Sequence, residues 1–213
     1  MYKFKDAVLW RIEDYMVHDF LKMGVVGKSA RGMCWLAGGA LRGLIDKKDQ
    51  LVDFDLFFSN ALRAAEVGLD LEARGFKMVF KCPKGELTTY VSPKPEPDFK
   101  NITISDGRQM KVQLVTKTFY PDVETILHTF DIDACRFAYD SENVYTDRAA
   151  LRSVKKREVT LHNVTYPNAT FKRMMKYRDK GYRITNEAVD FFTQSVYDMG
   201  MIEATLNREF YVD

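Results

Sequence analysis

The chain has 213 residues, enough for one domain plus a small appendage, with 46% hydrophobic and 13% aromatic residues to build a core. Its 32 Lys and Arg stand against 30 Asp and Glu, a formal net charge of +2, which excludes a bulk-charge argument for nucleic-acid binding and leaves only local clusters. No apolar run approaches the ~18 residues of a membrane span, and the start, Met-Tyr-Lys-Phe-Lys-Asp, lacks a secretory apolar stretch.

In chain order, Val8, Leu9, Ile12, Tyr15, Met16, Phe20 and Leu21 recur at helical spacing and predict a helix over 6–23. Gly24-Val-Val-Gly27-Lys28-Ser29 ends it. Residues 33–37 read as a strand, 39–46 as a short helix and 52–58 as a second strand. A helix is predicted over 60–74, with Asn60 as N-cap and Gly75 as its stop. The segments 76–81 and 87–91 form a strand pair around Pro83-Lys-Gly85, and Ser92–Pro97 is an extended proline loop. A second hairpin is expected from 101–105 and 109–116, then a short helix over 122–129 and mixed strand character over 131–146. Beyond about 147 the pattern turns helical, at 147–154, 169–180, 186–199 and 201–209, with a short strand over 159–164. The fold class predicted is mixed α/β (α+β), with a central mixed sheet, an N-terminal helix and a helical C-terminal extension. The division is a unit over 1–150 and an extension over 151–213.

The chemistry-bearing stretch is Gly38-Gly39-Ala-Leu-Arg42-Gly43, followed after a short gap by Asp53-Phe-Asp55. Alternate strand residues share a face, so Asp53 and Asp55 point the same way. Two carboxylates on one face repel unless a cation lies between them, and hard oxygen donors favour Mg²⁺, with Mn²⁺ also accommodated. The glycine pair at a helix start allows backbone N–H groups to approach phosphate. Arg42, one turn into that helix, is placed to meet a triphosphate. Together these features predict chemistry on a nucleoside triphosphate.

Other features read more plainly. Gly27-Lys28-Ser29 resembles the end of a phosphate-binding P-loop, but the motif's first glycine falls on Lys22; a flexible basic loop is expected, with Lys28 and Arg31 beside the cleft. The three cysteines Cys34, Cys82 and Cys135 form no CxxC or Cys/His cluster and are expected as reduced thiols in a cytoplasmic protein. His18, His128 and His162 fit no metal-ligand spacing. A run of basic residues from Lys155 to Arg183 is either a solvated face or a surface for an RNA backbone or a triphosphate.

The glycine and aspartate motifs resemble the GGxVRD … DxD signature of the nucleotidyltransferase superfamily, and above all the head domain of poly(A) polymerases and CCA-adding enzymes, which has a polymerase β-like fold. Asp131-Ile-Asp133-Ala-Cys135-Arg136-Phe-Ala138-Tyr139 resembles that family's RDFTINALAY segment, and Leu151-Arg152-Ser-Val154 its LRxV. Phe171–Ile184, with Arg173 and Lys176, resembles the helix that begins the neck. The resemblance implies Asp53 and Asp55 as catalytic metal ligands. It implies Gly38, Gly39, Arg42, Asp131, Gln113, Arg173 and Lys176 as nucleotide-side residues; Arg136, where the family has alanine, is a further nucleotide-side candidate particular to this chain. The implied reaction is Mg²⁺-dependent transfer of a nucleoside monophosphate from an NTP to a hydroxyl, with pyrophosphate released; the acceptor is an RNA 3′ end (tRNA-like), a protein or a small molecule.

Departures accompany the match. Gly43 replaces an aspartate, Thr129-Phe130 an arginine pair, Cys135 a ribose-contacting asparagine and Gln113 the third acidic position. They motivate the alternative of a degenerate nucleotidyltransferase-fold protein that binds a nucleotide or a protein and acts as a regulator.

Overall fold

The computed structural model describes residues 2–5, 33–46, 53–93, 109–140 and 142–206, with side chains over 33–46, 53–93, 109–140 and 142–200. Its elements in chain order are β1 (Tyr2–Lys5), β2 (Cys34–Ala37), α1 (Gly39–Asp46), β3 (Asp53–Phe58), α2 (Ala61–Ala73), β4 (Lys77–Lys81), β5 (Leu87–Val91), β6 (Lys111–Val115), α3 (Val123–Thr129), a 3₁₀ turn (Asp133–Cys135), β7 (Ala138–Tyr139), β8 (Asn143–Thr146), α4 (Arg148–Lys156), β9 (Glu158–Val159), α5 (Pro167–Asp179), β10 (Arg183–Ile184) and α6 (Asn186–Leu206).

Among the described residues, eight strands form one sheet in the order β1-β8-β7-β2-β3-β6-β5-β4. Only the central β3–β6 pair is parallel; the others are antiparallel. The alternation along β2 and β3 explains the layering. Cys34, Leu36, Phe54, Leu56 and Phe58 enter the main core with residues of α1, α2, α4 and α5. Trp35, Ala37 and Phe57 point the other way and pack on Val123, Ile126 and Leu127 of α3. The helix α3 covers part of that second face, and the Asp53 end of β3 runs out past it, exposed at Asp53 and half-buried at Asp55.

Local chemistry sets the helix ends. Asn60 accepts from the Arg63 N–H at 3.0 Å, as its position before an apolar-periodic run predicts. At the other end of α2, Gly75 sits at φ +86, and Phe76 N–H reaches Leu71 O at 3.0 Å while Gly75 N–H reaches Glu72 O at 2.9 Å. These two bonds make a Schellman closure, which requires a left-handed residue at that place.

Several expectations change. The N-terminus contributes β1, an edge strand paired with β8 that its four-residue alternation did not betray. The strand expected over 159–164 is reduced to Glu158–Val159, paired in parallel with β10, plus a lone bridge from Leu161 to Ile132. The two C-terminal helices expected to divide near Gly200 are one, α6, because an exposed helical glycine costs only about 1 kcal/mol and need not break a helix. β6 pairs with β5 and β3; its expected hairpin partner at 101–105, the 6–23 helix and the Gly27-Lys28-Ser29 loop lie outside the described residues. Residue 150, where the sequence was divided, lies inside α4 with Ala150 in the main core.

Candidate functional site

Asp53 and Asp55 share one face of β3, as strand alternation predicts. The parallel register sets Asp53 opposite Lys111 and Asp55 opposite Gln113, and the next ladder sets Thr89 opposite Gln113. Lys111 Nζ lies 3.8 Å from Asp53 Oδ1, and Gln113 Nε2 donates to Thr89 Oγ1 at 3.5 Å. Burial pushes the Asp55 carboxyl up to about 6, with the neighbouring Asp53 charge adding to the rise and Lys176 opposing it. Lys176 stands on α5, so the helix that follows the sheet unit carries a cation whose charge is felt at Asp55. An Asp55 that resists ionisation beside a second carboxylate is the electrostatic setting that a bound cation relieves.

On the other side of β3, Ala37 is the ladder partner of Asp55, and the chain turns there into α1. Gly38 has φ +88, which favours glycine, and a Cβ on it would meet Phe130 Cε1 at 3.1 Å, so any side chain would also have to shift that ring. Its N–H donates to Phe137 O at 2.9 Å. The expectation that Gly38 offers its N–H to phosphate is therefore corrected: that group closes the turn onto the segment before β7. Gly39 opens α1, whose first-turn N–H groups have no intrahelical acceptor, and nothing lies within 4 Å of where its Cβ would stand.

Two arginines are elsewhere than expected. Arg42 is 2% exposed; its guanidinium lies 5.1 Å over the Tyr177 ring and 5.7 Å from that of Tyr182, with Asp46 Oδ2 3.6 Å away. It fastens α1 to α5 inside the core and does not reach a triphosphate. The reason is helix geometry: the turn carrying Asp46 and the apolar Leu41 and Leu44 faces the core, and Arg42 is drawn in with them. Arg136 is likewise buried, 3.0 Å from Asp133 and 2.6 Å from Asp147, and donates to Leu127 O at 3.3 Å. It ties α3 and the start of α4 to the 3₁₀ turn and is corrected from nucleotide contact to structural anchor.

Asp131 and Arg173 are brought together. The buried Asp131 carboxylate accepts from Arg173 Nε at 2.7 Å and Thr170 Oγ1 at 2.8 Å. These groups line a cavity of about 370 Å³, with Thr129, Asn163 and Tyr166 on other walls. Arg173 and Lys176 are three residues apart on α5 and share a face, so one helix serves both the cavity and the carboxylate pair. Where the resemblance has an arginine pair, Thr129 Oγ1 donates to Ile126 O at 2.7 Å and Phe130 packs edge-on against Phe57. At the asparagine position, the Cys135 thiol is buried against Tyr177 Oη at 2.7 Å.

Sequence reasoning missed Lys111, whose pairing with Asp53 exists only through the β3–β6 register. It also missed that His128, which lines the 370 Å³ cavity, meets His162, Nδ1 to Nε2 at 3.0 Å. Burial, Arg136 and His128 all hold the His162 imidazole below its ordinary value, Asp133 and Asp147 opposing them. Among the described residues no group of three or more His, Cys, Asp or Glu is placed to hold a metal. A divalent cation would thus have two carboxylates and the Gln113 amide oxygen, a set of hard oxygen donors that suits Mg²⁺ or Mn²⁺. A cavity of about 690 Å³ lies apart from this face, between α4 and the start of α6, and carries Arg148, Arg152, Lys156 and Arg183 with Glu158 and Glu187.

The chain belongs to the Gabija anti-defense 2 family, whose sequence profile matches residues 4–157. A curated relative, Gabija anti-defense 2 of Bacillus phage SPbetaL7, is 24% identical over 179 residues, covering 83% of this chain and 40% of the relative. The chain thus spans about two fifths of that relative's length. Among solved structures, a CCA-adding enzyme in complex with CTP superposes with a TM-score of 0.60 at 16% identity, over 95% of this chain and 48% of that one. A tRNA-processing enzyme in an apo form gives 0.56 at 13% identity, over 80% and 44%. The Thermotoga maritima CCA-adding enzyme complexed with tRNA gives 0.53 at 13% identity, over 78% and 38%. These likenesses establish the nucleotidyltransferase-like fold, a mixed central sheet with helices. Among the described residues no helix is long and apolar enough to cross a membrane.

Proposed function

We propose that this protein is a divalent-cation-dependent nucleotidyltransferase serving an anti-defence role, transferring a nucleoside monophosphate from an NTP to a hydroxyl and releasing pyrophosphate. The observation that carries this reading is the pair Asp53 and Asp55 on one face at the open end of β3, with Gln113 beside them and the α1 start next door. Asp53, Asp55 and the Gln113 amide would hold the cation, which when bound supplies Lewis acidity at the phosphate and lowers the pKa of the acceptor hydroxyl. Gly39 leaves room for a phosphate oxygen at the first turn of α1. Lys176 neutralises charge near Asp55. Asp131 fixes Arg173, which forms a wall for the nucleoside side. The protein's work is positioning and charge neutralisation. An RNA 3′ end is the acceptor favoured by the cations of the 690 Å³ cleft, since phosphates are held by such groups, and by the tRNA complexes among the fold's neighbours.

The test is incubation of the pure chain with α-³²P NTPs, Mg²⁺ and cell extract. Wild type labels a macromolecule, RNase or protease treatment identifies it, and Asp53→Asn with Asp55→Asn labels nothing; equal labelling by the double variant refutes the reading. In cells carrying the defence, the same double variant loses the protection that wild type confers.

One observation favours a second reading. Lys111 beside Asp53 and the neutral Gln113 reduce the negative charge available to metal, as in a site that binds nucleotide or protein without turnover. Thermal shift with each NTP separates the two, because a ligand of the folded state raises stability by mass action. A shift that needs Mg²⁺ supports transfer, and a metal-independent shift supports the binder.

A further inference from the structure

Lys111 has no counterpart in the sequence motifs, and its position is fixed by the sheet. On β3 and β6 the residues facing the open side form two ranks: Asp53 and Asp55 on one strand, Lys111 and Gln113 on the other, in register. The ranks share one burial gradient, exposed at Asp53 and Lys111 and half-buried at Asp55 and Gln113. Lys111 Nζ stands 3.8 Å from Asp53 Oδ1, and both side chains remain about half exposed, at 47% and 50%. The ammonium is therefore at the exposed end of the two ranks, beside Asp53 and open to solvent. Three N–H donors on a flexible stem make lysine a mobile point charge for phosphate oxygens.

The charge balance follows. Two divalent ions about 3.5–4 Å apart bring four positive charges, which two-metal sites offset with several carboxylates and the substrate. Here the strand pair offers two carboxylates, one amide and one ammonium, and the Lys176 charge also acts on Asp55. Like charges at such distances repel unless carboxylates and phosphates offset them. We propose that Lys111 is the site's built-in second cation: its ammonium neutralises Asp53 and engages the bound phosphates, so that a nucleoside triphosphate is held with one divalent ion in place of two. The proposal rests on the reading of Asp53 and Asp55 as an NTP site and specifies how that site is charged.

The test counts ions on the full chain. Mn²⁺ is titrated by electron paramagnetic resonance in the presence of α,β-methylene-ATP, with the Asp53→Asn, Asp55→Asn double variant as the blank. Wild type is expected to hold one Mn²⁺ with an uncoupled spectrum. Lys111→Gln and Lys111→Glu are expected to admit a second ion, seen as an exchange-broadened pair, with the larger gain for Glu; circular dichroism confirms that each variant is folded. A coupled pair in wild type overturns the proposal and leaves the nucleotide site standing. A single ion retained in both folded Lys111 variants overturns it as well. No Mn²⁺ above the blank in any chain removes the nucleotide-site reading and this proposal with it.

Discussion

Arg42 shows how burial decides what an arginine does. A guanidinium is always charged, so when packing draws it inside it must find charge and π partners there. Asp46, Tyr177 and Tyr182 supply them, and Asp46 is shared with Arg157 and with Tyr182 Oη at 3.1 Å. Arg42→Met leaves Asp46 short of one cation and removes the bridge between α1 and α5. We expect a loss of roughly 3 kcal/mol in urea unfolding, in the range for breaking a buried pair. A phosphate-binding arginine at the surface would instead give a nucleotide-affinity defect with unchanged stability. Asp55 gives a prediction of opposite sign. Its folded pKa is raised, to about 6, so the folded state keeps a proton that the unfolded state has lost from about pH 4 upward. That contribution is fully present below about pH 4 and is lost as pH rises through about 6. In EDTA, Asp55→Asn is therefore expected to match wild type in unfolding midpoint at pH 4 and exceed it at pH 7; equal midpoints at pH 7 would show that Asp55 carries no such strain.

At the scale of elements, caps of similar chemistry should differ in cost according to what else they touch. Asn60 caps α2 through one bond to Arg63 N–H and stands at the surface, so Asn60→Ala should cost about 1 kcal/mol. Asp147 caps α4 through Ala150 N–H at 2.9 Å and also pairs with the buried Arg136 at 2.6 Å. Asp147→Ala removes a cap and strips a buried cation of one of two carboxylates, so about 2–4 kcal/mol is expected from equilibrium denaturation. Equal costs for the two would refute the role assigned to Arg136. The elements themselves were legible where period and punctuation agreed. The alternation of β3, the Asn60 start and Gly75 stop of α2 and the β4–β5 pair all appear where sequence spacing places them. β1, β9 and β10 were not, because each is two to four residues without an apolar run and exists through its partner.

For the whole molecule, the union of sheet and C-terminal helices is the feature on which the site depends. Tyr177, Met174 and Tyr182 pack into the same core as Leu41 and Cys34, and the buried Asp131 carboxylate takes both Thr170 and Arg173. Lys176 then falls near Asp55 as a consequence of where α5 is held. Arg173→Met is expected to raise amide hydrogen exchange over 167–184 while β2, β3 and β6 keep their protection, because the apolar contacts persist and the polar latch is lost. Unchanged exchange in α5 would mean that the core alone holds the helix.

Composition, alternation and motif order were enough to specify a mixed α/β chain, a strand with two carboxylates on one side and a glycine turn leading into a helix, since these are properties of neighbours in sequence. The tertiary structure decided which cations serve the carboxylates. Arg42 and Arg136, close by in the motifs, are consumed by the core, whereas Lys111 and Lys176, distant in the chain, arrive through strand register and helix docking. Side-chain charge is written in each residue, but its solvation and partners belong to the packed whole, and these determine whether a charge holds the fold together or meets a ligand.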